Sequence, residues 1–279
     1  MKFGLCNEIY YDKTVFEAIK HAAGVGYHGL ELAPFTLTDD IMSYPVNKQK
    51  DIAKCASDHG VEILGLHWLL LKPEGLHITT PDKSVRDKTL DVFKKLIEIN
   101  SNTGGRIMTL GSPKQRNFDE KSDTKDAATK RGIEFFQKLT GELEAANSIL
   151  ALEPLETEFT NFMAHTDETC RIIDSLGSKA FGITLDTHFL RWEKEEFGFS
   201  VDELFKVAGE KLVHLHIQDD NRNAPGRGNA DFTEFIDAVK EINWQGYISM
   251  ETKKQKDTPE FIAENGIKFM KSFLCESVS

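Results

Sequence analysis

The chain has 279 residues, 40% of them hydrophobic and 28% charged, with 20 Gly and 8 Pro; this is globular composition and excludes fibrous and disordered classes. Its formal net charge of -11 argues against a nucleic-acid partner, because such binding draws on clustered Lys and Arg at phosphates. The longest nearly apolar run, Gly65 to Leu71, is far too short to cross a bilayer, and Met1-Lys2-Phe3 opens into a strand-like segment without a signal-peptide core. A cytoplasmic protein with no membrane partner is expected.

In chain order, short apolar runs bounded by Gly predict eight strands: Phe3–Asn7, His28–Leu32, Val61–His67, Gly105–Leu110, Ile149–Pro154, Phe181–Asp186, Leu212–Ile217 and Tyr247–Glu251. Amphipathic stretches separate them. Over Thr89–Ile99 apolar residues recur three and four apart, which predicts a helix. Ser200-Val-Asp-Glu203 has capping-box spacing and marks a helix start. Strand and helix alternate to the end of the chain without a Ser/Pro-rich linker or low-complexity break. Right-handed βαβ units in this number close into a (β/α)8 TIM barrel, so the fold class is α/β and one domain over residues 1–279 is the economical reading. Cys6, Cys55, Cys170 and Cys275 have no C-x-x-C spacing and read as small buried hydrophobes rather than disulfide or zinc ligands.

Connections from helix to strand are tight, as in Asp58-His-Gly60. Those leaving strands are longer and richer in polar and aromatic residues, as in His67 to Lys83 and Gln218 to Asp231. Chemistry is therefore expected at the carboxyl ends of the strands. A doubly wound sheet is the alternative, but no G-x-G-x-x-G follows the first strand.

Four successive strand ends carry an acid or a His: Glu153, Asp186, His216 and Glu251. Side chains two apart share a face, so His214 aligns with His216, and Asp186 with His188 if the strand continues. Neighbouring barrel strands are about 4.8 Å apart, which gathers Glu153, Asp186, His216 and Glu251 around one point. Three carboxylates cannot share a dry pocket uncompensated. A divalent cation resolves the conflict, and one imidazole with three carboxylates suits Mn²⁺ or Mg²⁺ best, with Co²⁺ and Zn²⁺ as further candidates.

The segments Leu152-Glu-Pro-Leu155, Leu185-Asp-Thr187, His214-Leu-His-Ile-Gln-Asp-Asp-Asn-Arg-Asn-Ala-Pro-Gly-Arg-Gly228 and Ser249-Met-Glu251 resemble the xylose isomerase-like TIM barrels of the sugar phosphate isomerase/epimerase group. Within them the chain is most similar to ketose 3-epimerases of the tagatose/psicose type, and the resemblance covers essentially the whole chain. It implies one metal on Glu153, Asp186, His216 and Glu251, proton exchange by Glu153 and Glu251 through a cis-enediolate, and a sugar contact from Arg222, six residues after the metal His. It also implies a ketose, keto-polyol or sugar phosphate as substrate, and a homodimer or homotetramer.

Two positions depart from that pattern. Where the family often has a substrate-contacting Glu, this chain has Phe159, with Glu158 and Glu156 nearby. Where a sugar-binding His is common, it has Phe189, preceded by His188; Glu158 and His188 are the candidates to make those substrate contacts from displaced positions. A modified or differently shaped polyol substrate is therefore expected.

His67 and Trp68, closing strand three, are candidates for holding substrate or a second metal, with packing as the competing account. Glu31 is a candidate to orient a metal ligand or to form a salt bridge in the barrel mouth, and His188 and His214 to support the metal ligands, with a satisfied core histidine as the competing account, favoured for His214. Arg227 is a candidate for an anionic group, against the commoner role of binding carbonyls and water. Lys253-Lys-Gln-Lys256 reads as a solvated loop. The competing functions are an inosose dehydratase-like lyase, which starts from the same enolate, and a non-catalytic sugar- or metal-binding barrel. An endonuclease IV-like phosphodiesterase would need more metal ligands than these strand ends supply.

Overall fold

Eight apolar runs form parallel strands: β1 (Lys2–Cys6), β2 (Gly29–Leu32), β3 (Glu62–Leu66), β4 (Ile107–Leu110), β5 (Ile149–Leu152), β6 (Phe181–Asp186), β7 (Leu212–Ile217) and β8 (Tyr247–Met250). They pair in sequence order and close on themselves through β1 and β8. The computed structural model describes residues 1–253 and 256–275, without the side chains of 273–275. Lys254 and Gln255 of the lysine run, and the Cys275 side chain, lie outside the described residues. Cys6 and Cys170 are buried, Cys55 is half-buried, and all three are free thiols.

The strands read as unbroken apolar runs because both faces are covered, one by the barrel interior and one by helices. All six residues of β6 and all four of β2 are buried. The outer helices bury one stripe each. In Lys83–Thr103, Val92, Phe93, Leu96, Ile97 and Ile99 form that stripe, and fully burying each such side chain is worth roughly 2 kcal/mol. Asp82 caps its first turn by accepting from the Ser84 and Val85 amides, and Gly104 ends it at φ 90°, where a Cβ is unfavourable. The capping box at Ser200 starts the helix Val201–Ala208, with Ser200 Oγ accepting from the Glu203 amide and Glu203 from the Ser200 amide. Among the described residues no helix is long and apolar enough to cross a membrane.

Loop lengths differ between the two ends of the barrel. Residues 67–82, 111–124 and 218–232 leave the carboxyl ends of β3, β4 and β7, whereas 104–106, 146–148 and 177–180 bring the chain back to β4, β5 and β6.

One local expectation is corrected. β6 does not continue to His188, because Asp186 accepts from the His188 amide at 2.7 Å and acts as N-cap of the helix Thr187–Phe197. An Asp at the end of a strand starts a helix more readily than it lets the strand continue.

The same helix carries a buried carboxyl, Glu193, which accepts from the Thr166 amide at 3.0 Å and contacts Thr166 Oγ1 at 2.5 Å. Burial pushes its pKa up to about 7. The folded state therefore holds this proton more tightly than the unfolded chain, so the group's stabilising contribution is present at acidic pH and is lost as pH rises through 7. Gln mimics the neutral acid. Glu193→Gln is expected to gain stability relative to the parent between pH 5 and pH 8 by roughly 1 to 3 kcal/mol, read by urea unfolding at both values. A constant difference would contradict this.

Candidate metal centre and active site

Strand register brings the predicted acids together. Asp186, the last residue of β6, sits opposite His216 of β7, and His216 opposite Ser249 of β8. Glu153 and Glu251 stand one residue beyond β5 and β8, where their amides donate to the Leu110 and Ile217 carbonyls. Ligand atoms of Glu153, Asp186, His216 and Glu251 all lie within 4.8 Å of one another, and the four residues are buried.

Their electrostatics are in conflict. Burial, aggravated by Glu251 and Asp186, raises the Glu153 carboxyl to about 7. Asp186 is raised too, by burial and by Glu251. Burial also opposes ionisation of Glu251, but His216 outweighs it and holds that carboxyl down at about 2. His216 Nδ1 lies 2.7 Å from Glu251 and 3.4 Å from Glu153 Oε1, yet neither Nδ1 nor Glu153 Oε1 has a hydrogen-bond partner among the described residues. Buried lone pairs converging without donors are what a cation satisfies. The donor set, three carboxylates and one imidazole, fits a hard divalent ion.

Each of the four residues is held from behind. Glu31 of β2, fully buried, meets His216 Nε2 at 3.2 Å and His214 Nε2 at 2.6 Å, which leaves Nδ1 of His216 to face the acids. Burial opposes the charge on Glu31, but the two imidazoles outweigh it and keep its pKa well below the usual range. Gln218 donates to Asp186 Oδ2 at 2.8 Å and accepts from Arg222 Nε at 3.2 Å. Trp68 donates its indole N–H to Glu251 Oε1 at 2.7 Å from a backbone held at φ 52°, a strained setting for an aromatic residue. Fully buried Arg116 donates to the Glu153 carbonyl at 2.8 Å. Two further groups with equally close ligand atoms, Glu31–His214–His216 and Cys6–Glu31–His67, both run through the already engaged Glu31.

A cavity of about 300 Å³ opens over Glu153 and Glu251 and is also lined by His67, Trp68 and Arg222. His67 pairs with Glu8 at 2.8 Å. The structure places the other two candidate substrate residues elsewhere: His188 pairs with Glu156 at 2.8 Å in a neighbouring cleft, and exposed Glu158 lines neither space. Arg227 is taken up by Asp257 at 2.8 Å and the Phe261 ring.

Gln218 continues the period-two face of His214 and His216, a signal that was available in the sequence. Glu8 and Arg116 carry no such signal, since one lies on a 3₁₀ turn and the other in a loop.

Gly111 guards the Glu153 carboxylate, because a Cβ there would lie 2.0 Å from Oε2. The clash is with the end of a flexible side chain, so the barrel should tolerate it while the ligand moves. Gly111→Ala is expected to keep its unfolding midpoint within about 1 kcal/mol of the parent and to lose at least roughly tenfold in metal affinity, measured by Mn²⁺ titration. Unchanged affinity would contradict the placement of Glu153.

The family pattern described as a xylose isomerase-like TIM barrel matches residues 19–273. The chain belongs to this family. Among curated relatives of this xylose isomerase-like barrel, a D-psicose 3-epimerase from Enterocloster bolteae is 26% identical, over 90% of this chain and 82% of the relative. A 3-dehydro-D-guloside 4-epimerase from Escherichia coli is 20% identical, over 93% and 95%. Among solved structures, a D-psicose 3-epimerase crystallised in the presence of D-fructose superposes with a TM-score of 0.84 at 19% identity, covering 98% of this chain and 99% of that one. An L-ribulose 3-epimerase superposes with 0.85 at 18% identity, covering 99% and 95%. At such identities these structures bear on fold alone. Epimerases are isomerases, so the family's curated relatives group this chain with enzymes of that class.

Proposed function

We propose that the protein is a metal-dependent sugar epimerase or isomerase in which Glu153, Asp186, His216 and Glu251 hold one divalent ion, Mn²⁺ by preference. The convergence of these four buried ligands within 4.8 Å, under an open cavity, carries the reading. When bound, such an ion supplies Lewis acidity toward a carbonyl and its neighbouring hydroxyl.

The chain's own residues do the rest. Glu153 and Glu251 line the cavity and take and return the proton of the carbon beside the carbonyl. Return to the same carbon from the other side inverts it; return to the neighbouring carbon isomerises. Trp68 fixes the direction of the Glu251 carboxylate, and Gln218 ties Arg222 to Asp186, so the group facing substrate moves with the ligand set. His67, held by Glu8, forms part of the wall.

The test is to load the protein with Mn²⁺ in D₂O and follow ketoses, keto-polyols and their phosphates by NMR. Deuterium entering at the carbon beside the carbonyl, with the skeleton intact, is the expected result. Loss of a hydroxyl would instead select a lyase, and no exchange with any compound would count against both.

A further inference from the structure

The cavity is acidic at its floor and cationic around it. Among the described residues no acid lines it apart from Glu153 and Glu251, whereas Lys114, Arg222 and Lys253 do. That sign runs against the chain as a whole, which has 45 acidic and 34 basic residues. Of the acids close in sequence, Glu156 is bonded to His188 and Glu158 is exposed; both lie near enough to bear on Lys253, but neither lines the cavity. Lys114 and Lys253 form no ion pair among the described residues.

Arg222 is prepared for a charged partner. Its Nε donates to Gln218 at 3.2 Å, and its guanidinium carbon lies 5.7 and 5.6 Å from the ring centres of Phe159 and Phe189. Stacking and one fixed hydrogen bond set the plane, while the two terminal nitrogens donate to nothing among the described residues. A guanidinium fork held this way matches the paired oxygens of a carboxylate or phosphate. The two phenyl rings offer a neutral polyol no hydrogen bonds, so this end of the cavity is poorly suited to an uncharged sugar.

Resting on the epimerase reading above, we infer that the substrate is an anionic sugar: a ketose or keto-polyol carrying a carboxylate or phosphate, gripped by Arg222 and Lys253 with Lys114 beside them. The cations then neutralise the substrate's charge as the metal neutralises the acids.

The test is calorimetric binding to the Mn²⁺-loaded full chain, with C–H deuterium exchange followed in parallel. Two skeletons serve: D-fructose with D-fructose 6-phosphate and D-fructuronate, and L-ribulose with its 5-phosphate. A charged member is expected to bind at least roughly tenfold tighter than its neutral parent, less so at high salt, and phosphate against carboxylate identifies which anion is meant. The advantage should shrink several-fold in Lys253→Met, whereas a phosphate sitting on the metal alone would keep it. Equal binding of parent and charged member, an advantage untouched by Lys253→Met, or no binding by any compound would overturn the inference. Exchange with neutral ketoses without a preference for charge would leave the epimerase reading standing alone. Charge-selective binding without exchange would do the reverse.

Discussion

Glu153→Gln and Glu251→Gln are each expected to leave the barrel folded and to lower turnover by at least roughly a thousandfold, the upper range for a lost general acid or base. Gln keeps the volume and removes both the charge and the proton-carrying oxygen. Both positions sit just past strand ends whose backbone bonds do not involve the side chain, so the fold has no need of the carboxylates. For Glu153, which burial and Glu251 push up to about 7, relief of like-charge crowding should even raise stability slightly, whereas Glu251→Gln gives up the pairing with His216 and should lower it somewhat. Each variant also removes one of the proposed metal ligands, so Mn²⁺ content and turnover must be measured on the same sample. A Glu153→Gln protein with bound metal and full activity would show that this residue carries no proton.

Glu31→Gln tests the support behind the metal. The carboxylate serves two imidazoles at once, His214 and His216, in a fully buried position. Gln offers one acceptor oxygen and turns its amide against the other ring. His216 then loses the partner that sets its orientation and leaves Nδ1 free for the metal. Loss of such outer partners typically costs about 10- to 100-fold in metal affinity, and that range is expected here from Mn²⁺ titration. Breaking the buried group should also cost about 3 kcal/mol of stability at neutral pH. Because pairing holds the Glu31 pKa well below its usual range, its stabilising contribution is present above the ordinary carboxylate pKa and is lost only as pH falls through the depressed value. The stability difference between parent and variant should therefore hold at neutral pH and narrow in strong acid. Equal metal affinity in parent and variant would remove Glu31 from the account.

The barrel was legible in the sequence because buried parallel strands and amphipathic helices leave different periods, and those periods alternate eight times. The strand-end acids were legible for the same reason, since Glu153, Asp186, His216 and Glu251 interrupt runs that are otherwise apolar. What escaped was set by loops. His188 sits two residues after Asp186, the spacing of a strand face, yet the capping bond from Asp186 turns the backbone into a helix and sends the imidazole to Glu156. Glu8 meets His67 across 59 positions of sequence, and no local pattern announces such a pairing. Phe159 and Phe189, noticed only as departures from a family pattern, acquire a physical role once Arg222 lies over both rings.

The most direct test of the account is a crystal of the Mn²⁺-loaded protein studied by anomalous scattering. It should reveal one peak, about 2.0–2.3 Å from an atom each of Glu153, Asp186, His216 and Glu251. A metal bound elsewhere, or these four side chains turned apart around an ion-free centre in metal-saturated crystals, would contradict it.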